Sequence, residues 1–241
     1  MCTVTIIPKG KNDFILTSNR DEAPDRLSLT PDFYKVDGVD VLFPKDELSG
    51  GTWVGVSEKN RVVCLLNGGF TIHNRALNYR LSRGVVVKHF MVAKNIFDAL
   101  STYNLEGIEP FTMVIADWNT SLLFFELVWD GQERHVTQLP NVPKIWSSST
   151  LYSKTMASER LSWFNAFKTE NELEASAILN FHKTAGKIHK DYGVIMDRGF
   201  VKTTSITQIT KVNHVVNMRF ESLNNNTVTQ TEFKQPHVVN E

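Results

Sequence analysis

The stretch MCTVTIIPKGKNDFILTSNRDE, residues 1–22, carries the strongest structural signal in this sequence. Residues 2–7 alternate in the manner of a β-strand, and residues 8–13 are rich in turn-forming residues. A return strand from Phe14 then runs back towards the chain start. Antiparallel pairing would bring the cluster at residues 19–22 next to Cys2.

Cys2 also has a chemical consequence. Removal of the initiator methionine requires a small second residue, and cysteine meets that requirement. The processed chain would carry a thiol and a free α-amine on the same residue, and an α-amine has an ordinary pKa of about 7.7–8. We therefore predict that Cys2 is a nucleophile with its own base, suited to acyl transfer.

The hairpin from Cys2 to residues 18–22 (SNRDE), followed by GGTWVG at 50–55 and LLN at 65–67, resembles the NRDE-motif family, also called the transport and Golgi organisation 2 family. The resemblance is clearest over residues 1–67. That family is in turn similar to N-terminal nucleophile (Ntn) hydrolases with a cysteine nucleophile, such as penicillin V acylase and bile salt hydrolase. The resemblance implies an α+β fold, a four-layer αββα sandwich of mostly antiparallel sheets, in a single domain spanning 1–241.

The resemblance also implies roles for residues of the motif. Arg20 would favour the thiolate of Cys2, and Asp21 would orient its amine or thiol. Asn67, at the end of a buried strand, would donate to an oxyanion. The alternative for residues 19–22 is a local ion pair without a catalytic role. Asn19 would either belong to that cluster or bind the substrate. The alternative for Asn67 is a plain turn.

Three further positions are candidates for substrate binding. Trp53 would either form a wall of the pocket or belong to the core. Ser148 stands where related enzymes have an asparagine after a middle strand, and Lys202 stands where the family often has an arginine. Lysine keeps the charge of arginine but loses its two-pronged geometry, so both departures bear on amide hydrolysis more than on the fold.

Composition excludes several classes of function. The 26 basic and 26 acidic side chains balance, so no net positive field would attract nucleic acid. No apolar run reaches the 18–20 residues or so of a membrane span, and no signal peptide is evident, which predicts a cytoplasmic protein.

Cys64 lies in a buried-strand pattern and is expected to be a core residue. The scattered histidines predict no metal site, no cofactor is implied, and homo-oligomer formation stays open.

The remaining pattern is strands, two helices, strands, two helices, strands. Residues 23–32 contain two prolines and are predicted to be a surface loop near the site. Helices are expected at 84–91, 94–103, 150–167 and 172–181. Further strands are expected at 39–44, 52–57, 61–66, 111–116, 122–129, 134–138, 144–147, 202–210, 214–220 and 227–233.

Two hypotheses for function follow. The first is an Ntn-type hydrolase that cleaves an amide, or a thioester, of a small-molecule substrate through Cys2. The second is a binding or carrier protein for a hydrophobic metabolite such as haem, a lipid or acyl-CoA, which the resembled family's links to Golgi organisation and lipid homeostasis imply.

Overall fold

The first hairpin organises one of two antiparallel sheets in the computed structural model, which describes residues 3–234. The strands are β1 (Thr3–Lys9), β2 (Asp13–Glu22), β3 (Ser28–Val36), β4 (Val39–Asp46), β5 (Val54–Ser57), β6 (Arg61–Asn67), β7 (Phe111–Asp117), β8 (Leu123–Trp129), β9 (Arg134–Leu139), β10 (Lys144–Ser147), β11 (Lys202–Val212), β12 (Val215–Ser222) and β13 (Thr227–Lys234). The helices are α1 (Arg83–Val92), α2 (Ile96–Thr102), α3 (Lys154–Glu170) and α4 (Ala175–Thr184).

The first sheet has the order β10-β1-β2-β11-β12-β13, and the second runs in sequence order from β3 to β9. Helix α1 packs on β4, β5 and β6 of the second sheet, whereas α3 and α4 pack on β10, β2 and β11 of the first. The predicted α+β class with mostly antiparallel sheets is confirmed.

Side-chain alternation along β1 and β2 separates two interiors. Val4, Ile6, Phe14 and Leu16 face the second sheet and join the main hydrophobic core. Ile7 and Ile15, together with neighbouring side chains, face the helices and join a smaller cluster with Phe164, Ile178 and Phe181. The same alternation decides which way each residue of the 19–22 cluster points.

The predicted loop at residues 23–32 is wrong from Ser28 onwards, because β3 begins there. Two features hid the strand. It lies at the edge of the second sheet, where a proline is tolerated, and its register shifts between Leu29 and Asp32, around Pro31. Helix α3 also begins later than expected, at Lys154, after Ser153 caps it by accepting a hydrogen bond from the Met156 amide.

Candidate active site

Arg20 lies near the end of β2 and faces the space between the two sheets. It is 2% exposed. Its Nη2 donates to Asp46 Oδ2 at 2.6 Å, and its Nη1 donates to the Arg26 carbonyl at 3.1 Å and to Thr204 Oγ1 at 3.2 Å. The guanidinium carbon lies 4.8 Å from the centre of the Trp53 ring. The guanidinium is therefore fixed in one orientation by contacts on several sides.

Asp46, at the end of β4, gathers the charges around Arg20. It also accepts hydrogen bonds from Arg26 and from the backbone and hydroxyl of Ser49. Burial opposes ionisation of this carboxyl, but the hydrogen bonds from Ser49 and Arg26 and the charge of Arg26 hold its pKa below the ordinary value. Burial lowers the pKa of Arg20 against the opposing charges of Glu22 and Asp46. Sequence reasoning missed Asp46, which is separated from Arg20 by 26 residues and lies outside the motif.

Asn67 ends β6 at the same edge of the sandwich, as predicted for the strand. Its backbone carbonyl accepts a hydrogen bond from Ser148 Oγ at 2.6 Å, so the turn after β10 is tied to the end of β6. Gly68 follows with φ of 86°, and a Cβ there would clash with Ser149 and Thr150. Glycine thus allows the two segments to approach closely.

A cavity of about 380 Å³ opens between these segments. Arg20, Asn67 and Trp53 all line it, together with Glu22, Arg26, Asp46, Ser49, Gly51, Thr52, Leu65, Arg75, Ala76, Leu77, Asn78, Tyr79, Leu81, Ser82, Arg83, Gly84 and Glu109. Trp53 also belongs to the main core, so both interpretations of this residue describe part of its surroundings. Its indole Nε1 is buried and has no hydrogen-bond partner among the described residues.

Another part of the cavity wall is formed by Arg83 at the start of α1 and Glu109 before β7. Arg83 Nη2 lies 3.2 Å from Glu109 Oε2, and the exposed Arg75 lies 3.7 Å from the same carboxylate. Burial lowers the pKa of Arg83, against the charge of Glu109. The wall is therefore charged, and four arginines face three carboxylates around the cavity.

Asp21 and Asn19 point away from the cavity, towards α3 and α4. Asp21 accepts a hydrogen bond from the Tyr152 hydroxyl and another from Thr203 Oγ1, both at 2.6 Å. Asn19 Nδ2 donates to the carbonyls of His182 and Val194, and its Oδ1 lies 2.7 Å from His182 Nδ1. The amide of Asn19 thus fastens the first sheet to the helix layer and does not line the cavity.

The other predicted site residues are Cys2, Ser148 and Lys202. Cys2 lies outside the described residues, and Thr3 after it pairs with Asn19 of β2 and Ser147 of β10. Ser148 is buried against Asn67, outside the lining of the cavity. Lys202 begins β11 opposite Glu22, is partly exposed, and likewise does not line the cavity.

Cys64 lies in the middle of β6 and is fully buried, as its sequence pattern predicted. Burial raises the pKa of its thiol to about 12. Because thiolate is the reactive form, this cysteine is inert in the folded protein.

No helix within residues 3–234 is long and apolar enough to cross a membrane. In the same range, no group of three or more His, Cys, Asp or Glu side chains is placed to hold a metal ion.

The fold of this chain is similar to the folds of solved Ntn hydrolases. A variant of conjugated bile acid hydrolase from Clostridium perfringens matches 96% of this chain and 92% of its own, with a TM-score of 0.61 and 8% identity. A second variant of that enzyme matches with a TM-score of 0.57 and 11% identity over 97% and 92% of the two chains. The Caenorhabditis elegans N-acylethanolamine-hydrolyzing acid amidase ortholog matches 86% of this chain and 92% of its own, with a TM-score of 0.58 and 10% identity.

The family model of Transport and Golgi organisation 2 (TANGO2) matches residues 1–232. The chain belongs to that family, as the motif of residues 18–22 predicted. No curated protein sequence gives a significant match.

Proposed function

We propose that this protein is a cysteine Ntn hydrolase that cleaves an amide bond, or a thioester bond, of a small molecule through acylation of Cys2. One observation carries the proposal. Arg20 from the first sheet and Asn67 from the second line one cavity, at the end of the sandwich where β1 begins with Thr3. Cys2 is joined to Thr3 by a single peptide bond.

In the proposed reaction, the Cys2 thiolate attacks the carbonyl carbon of the substrate. The bond to the leaving nitrogen breaks, the α-amine of Cys2 relays the thiol proton to that nitrogen, and an acyl thioester remains on Cys2. Water then attacks the thioester, which releases the carboxylic acid and restores the thiol. No oxidant, reductant or cofactor is required.

The surrounding residues have separate roles in this scheme. Arg20 favours the thiolate by its positive charge. The Asn67 side-chain amide donates to the oxygen that becomes negative during attack. Asp21 orients the α-amine as the third member of the group, through the face of β2 opposite to Arg20.

The cavity also bears on the substrate. About 380 Å³ is within the range of small-molecule pockets. Its walls are rich in charged side chains, so we expect the polar part of the substrate to bind there. The predicted carrier for a hydrophobic metabolite has no specific observation in its favour among these contacts and stays the alternative that experiment must separate.

Two departures from the related enzymes remain part of the proposal. Ser148 supports the backbone of Asn67 through its hydroxyl, in place of offering an amide to the substrate. Lys202 would act only on a substrate that extends beyond the cavity lining. We place the reaction in the cytoplasm because a reducing compartment keeps an unpaired nucleophilic thiol reduced.

Labelling with a thiol-directed or β-lactone probe tests the proposal. Protein lacking Met1, as established by intact mass, should gain one label on Cys2 within the folded state. Cys2→Ala should abolish labelling, whereas Cys64→Ala, the matched control, should leave it unchanged. Protein that retains Met1 should fold but label slowly, because its Cys2 nitrogen is an amide.

Turnover of a panel of N-acyl amides and thioesters completes the experiment. Hydrolysis that is lost in Cys2→Ala supports the proposed reaction. Absence of both labelling and turnover, with haem or acyl-CoA binding that survives Cys2→Ala, would overturn it in favour of a carrier.

A further inference from the structure

The helix-facing side of β1 and β2 changes character along its length. Near the hairpin turn it is apolar, with Ile7 and Ile15 in the cluster beneath α3 and α4. Near the chain start it is polar, and Thr3, Asn19 and Asp21 are each at most 2% exposed there. Buried polar groups destabilise a fold unless they are hydrogen-bonded, so this end needs partners from the layer that covers it.

Tyr152 is the partner of Asp21 from that layer. It precedes Ser153, the N-cap of α3, and is 4% exposed. Its hydroxyl donates to Asp21 Oδ2 at 2.6 Å, the length of a charge-assisted hydrogen bond. Two guanidinium carbons lie over its ring, that of Arg160 at 3.5 Å and that of Arg198 at 5.5 Å from the centroid. These cations hold the ring in place.

The second oxygen of Asp21 is held from a different segment. Thr203 Oγ1 donates to Asp21 Oδ1 at 2.6 Å and itself accepts the Met196 amide proton at 2.9 Å. Both carboxylate oxygens are therefore fixed by donors contributed from the second half of the chain.

Arg160, one of the two cations over Tyr152, also contacts the start of β1. Arg160 Nη1 donates to Thr3 Oγ1 at 2.7 Å, while its Nε and Nη2 donate to the carbonyls of Tyr192 and Gly193. The residue that follows Cys2 and the carboxylate of Asp21 are thus held by one connected group of side chains.

From this geometry we infer that Tyr152 is a positioning residue of the active site, which orients Asp21 towards the chain start; this inference rests on the proposed function. Tyr152 itself does not line the cavity. Its hydroxyl fixes the rotamer of Asp21 and takes up part of the carboxylate's negative charge. Without it, more of the negative charge of Asp21 acts at the chain start, so the Cys2 thiol keeps its proton to higher pH.

The test is Tyr152→Phe in the full chain lacking Met1, with Tyr192→Phe as the matched control. Tyr192 also donates its hydroxyl to a carboxylate, Glu159 Oε2 at 2.8 Å, in the same layer but away from Asp21. The measurement is the rate of Cys2 alkylation by iodoacetamide as a function of pH. Tyr152→Phe should slow alkylation near neutral pH by about 10- to 100-fold, the equivalent of one hydrogen bond to a charged group. It should also move the midpoint of the profile to higher pH.

The control should leave both rate and midpoint unchanged. A purely structural role for Tyr152 predicts a lower unfolding midpoint in urea with an unmoved pH profile, and that outcome would overturn the inference.

A readout independent of reactivity separates this inference from the proposed function. The hydroxyl proton of Tyr152, bonded to a buried carboxylate, should appear in ¹H NMR as a downfield, slowly exchanging resonance that Tyr152→Phe removes and Tyr192→Phe keeps. If wild-type Cys2 is never alkylated, the proposed function fails, and this resonance alone then decides whether Tyr152 holds Asp21. Its absence in the wild type overturns the contact.

Discussion

The two ends of the sandwich each contain a buried arginine paired with an aspartate, but the pairs have different surroundings. At the far end, Arg61 begins β6, is fully buried, and donates through Nε to Asp117 at 2.8 Å. Its Nη1 donates to the carbonyls of Phe90 and Ala93 at the end of α1. At the site end, Arg20 pairs with Asp46 and lines a cavity.

The difference shows that burial and charge pairing alone do not identify a functional arginine. Arg61 donates through Nε to a carboxylate and through Nη1 to helix carbonyls that would otherwise be unsatisfied, which is a structural role. Its buried Nη2 has no hydrogen-bond partner among the described residues. Arg20 donates to Asp46 and to the Arg26 carbonyl, two residues of the cavity wall, and its flat face rests on Trp53. Both arginines are buried, and contact with the cavity distinguishes Arg20 from Arg61.

The largest effect is expected on stability, at the far end of the sandwich. Arg61→Met should lower the free energy of unfolding by about 3–5 kcal/mol, because it leaves Asp117 buried without its cation. Urea unfolding at pH 7 measures this loss. Removing both partners, in Arg61→Met with Asp117→Leu, should recover much of the stability. A single variant that loses less than about 1 kcal/mol would contradict a structural role for this pair.

The second-largest effect is expected at the site end, where loss of Asn67 should slow turnover. Asn67→Ala should reduce hydrolysis of an amide from the panel by about 10²- to 10³-fold, the loss of one oxyanion donor. Alkylation of Cys2 by iodoacetamide should hardly change, because that reaction forms no oxyanion. Asn74→Ala, an exposed asparagine on the following loop, is the control. Equal turnover in the two variants would remove Asn67 from the mechanism.

The third prediction concerns pH and the layer beneath the site. His182 is fully buried, and burial with the charge of Arg160 lowers its pKa from 6.5 to about 3. Asn19 Oδ1 accepts from Nδ1, and because the lowered pKa keeps the ring neutral, Nε2 accepts from Thr5 Oγ1. The unfolded chain binds this proton below pH 6.5 and the folded chain does not. Stability is therefore full above pH 6.5 and falls by about 1.4 kcal/mol per pH unit below it, down to about pH 3.

Urea unfolding between pH 7.5 and pH 4.5 measures this slope. His182→Gln should be less stable at pH 7.5 but should lack that part of the slope. Asn180→Ala, which removes an exposed amide from the same helix, should keep the wild-type slope. A slope unchanged by His182→Gln would mean that the buried ring is already protonated in the native state.

The distance along the chain between contacting residues explains which features the sequence could predict. The β1–β2 hairpin, the end of β6 at Asn67 and the burial of Cys64 follow from alternation and turn residues within a few positions of each other. The contacts of Asp21 with Tyr152 and Thr203 join residues 131 and 182 positions apart, and no local pattern encodes them. Edge strand β3 was missed because local proline signals do not reveal that its backbone is partly unpaired.

The smallest expected effect is the sharpest test of the comparison between the two ends. Arg20→Lys and Arg61→Lys both keep the positive charge and lose the planar fork. Each should lower the free energy of unfolding by about 1–3 kcal/mol, since hydrogen bonds to charged groups are lost at either end. Only Arg20→Lys should also slow Cys2 alkylation near pH 7, by about tenfold, because a lysine cannot lie flat on Trp53 and hold Asp46 at once, so its charge leaves the position that the guanidinium occupies at the cavity. Parallel urea unfolding and alkylation measurements on both variants decide the matter. If Arg61→Lys slows alkylation as much as Arg20→Lys does, the effect is transmitted by general loosening of the fold, and the position of Arg20 at the cavity has no special part in activating the thiol.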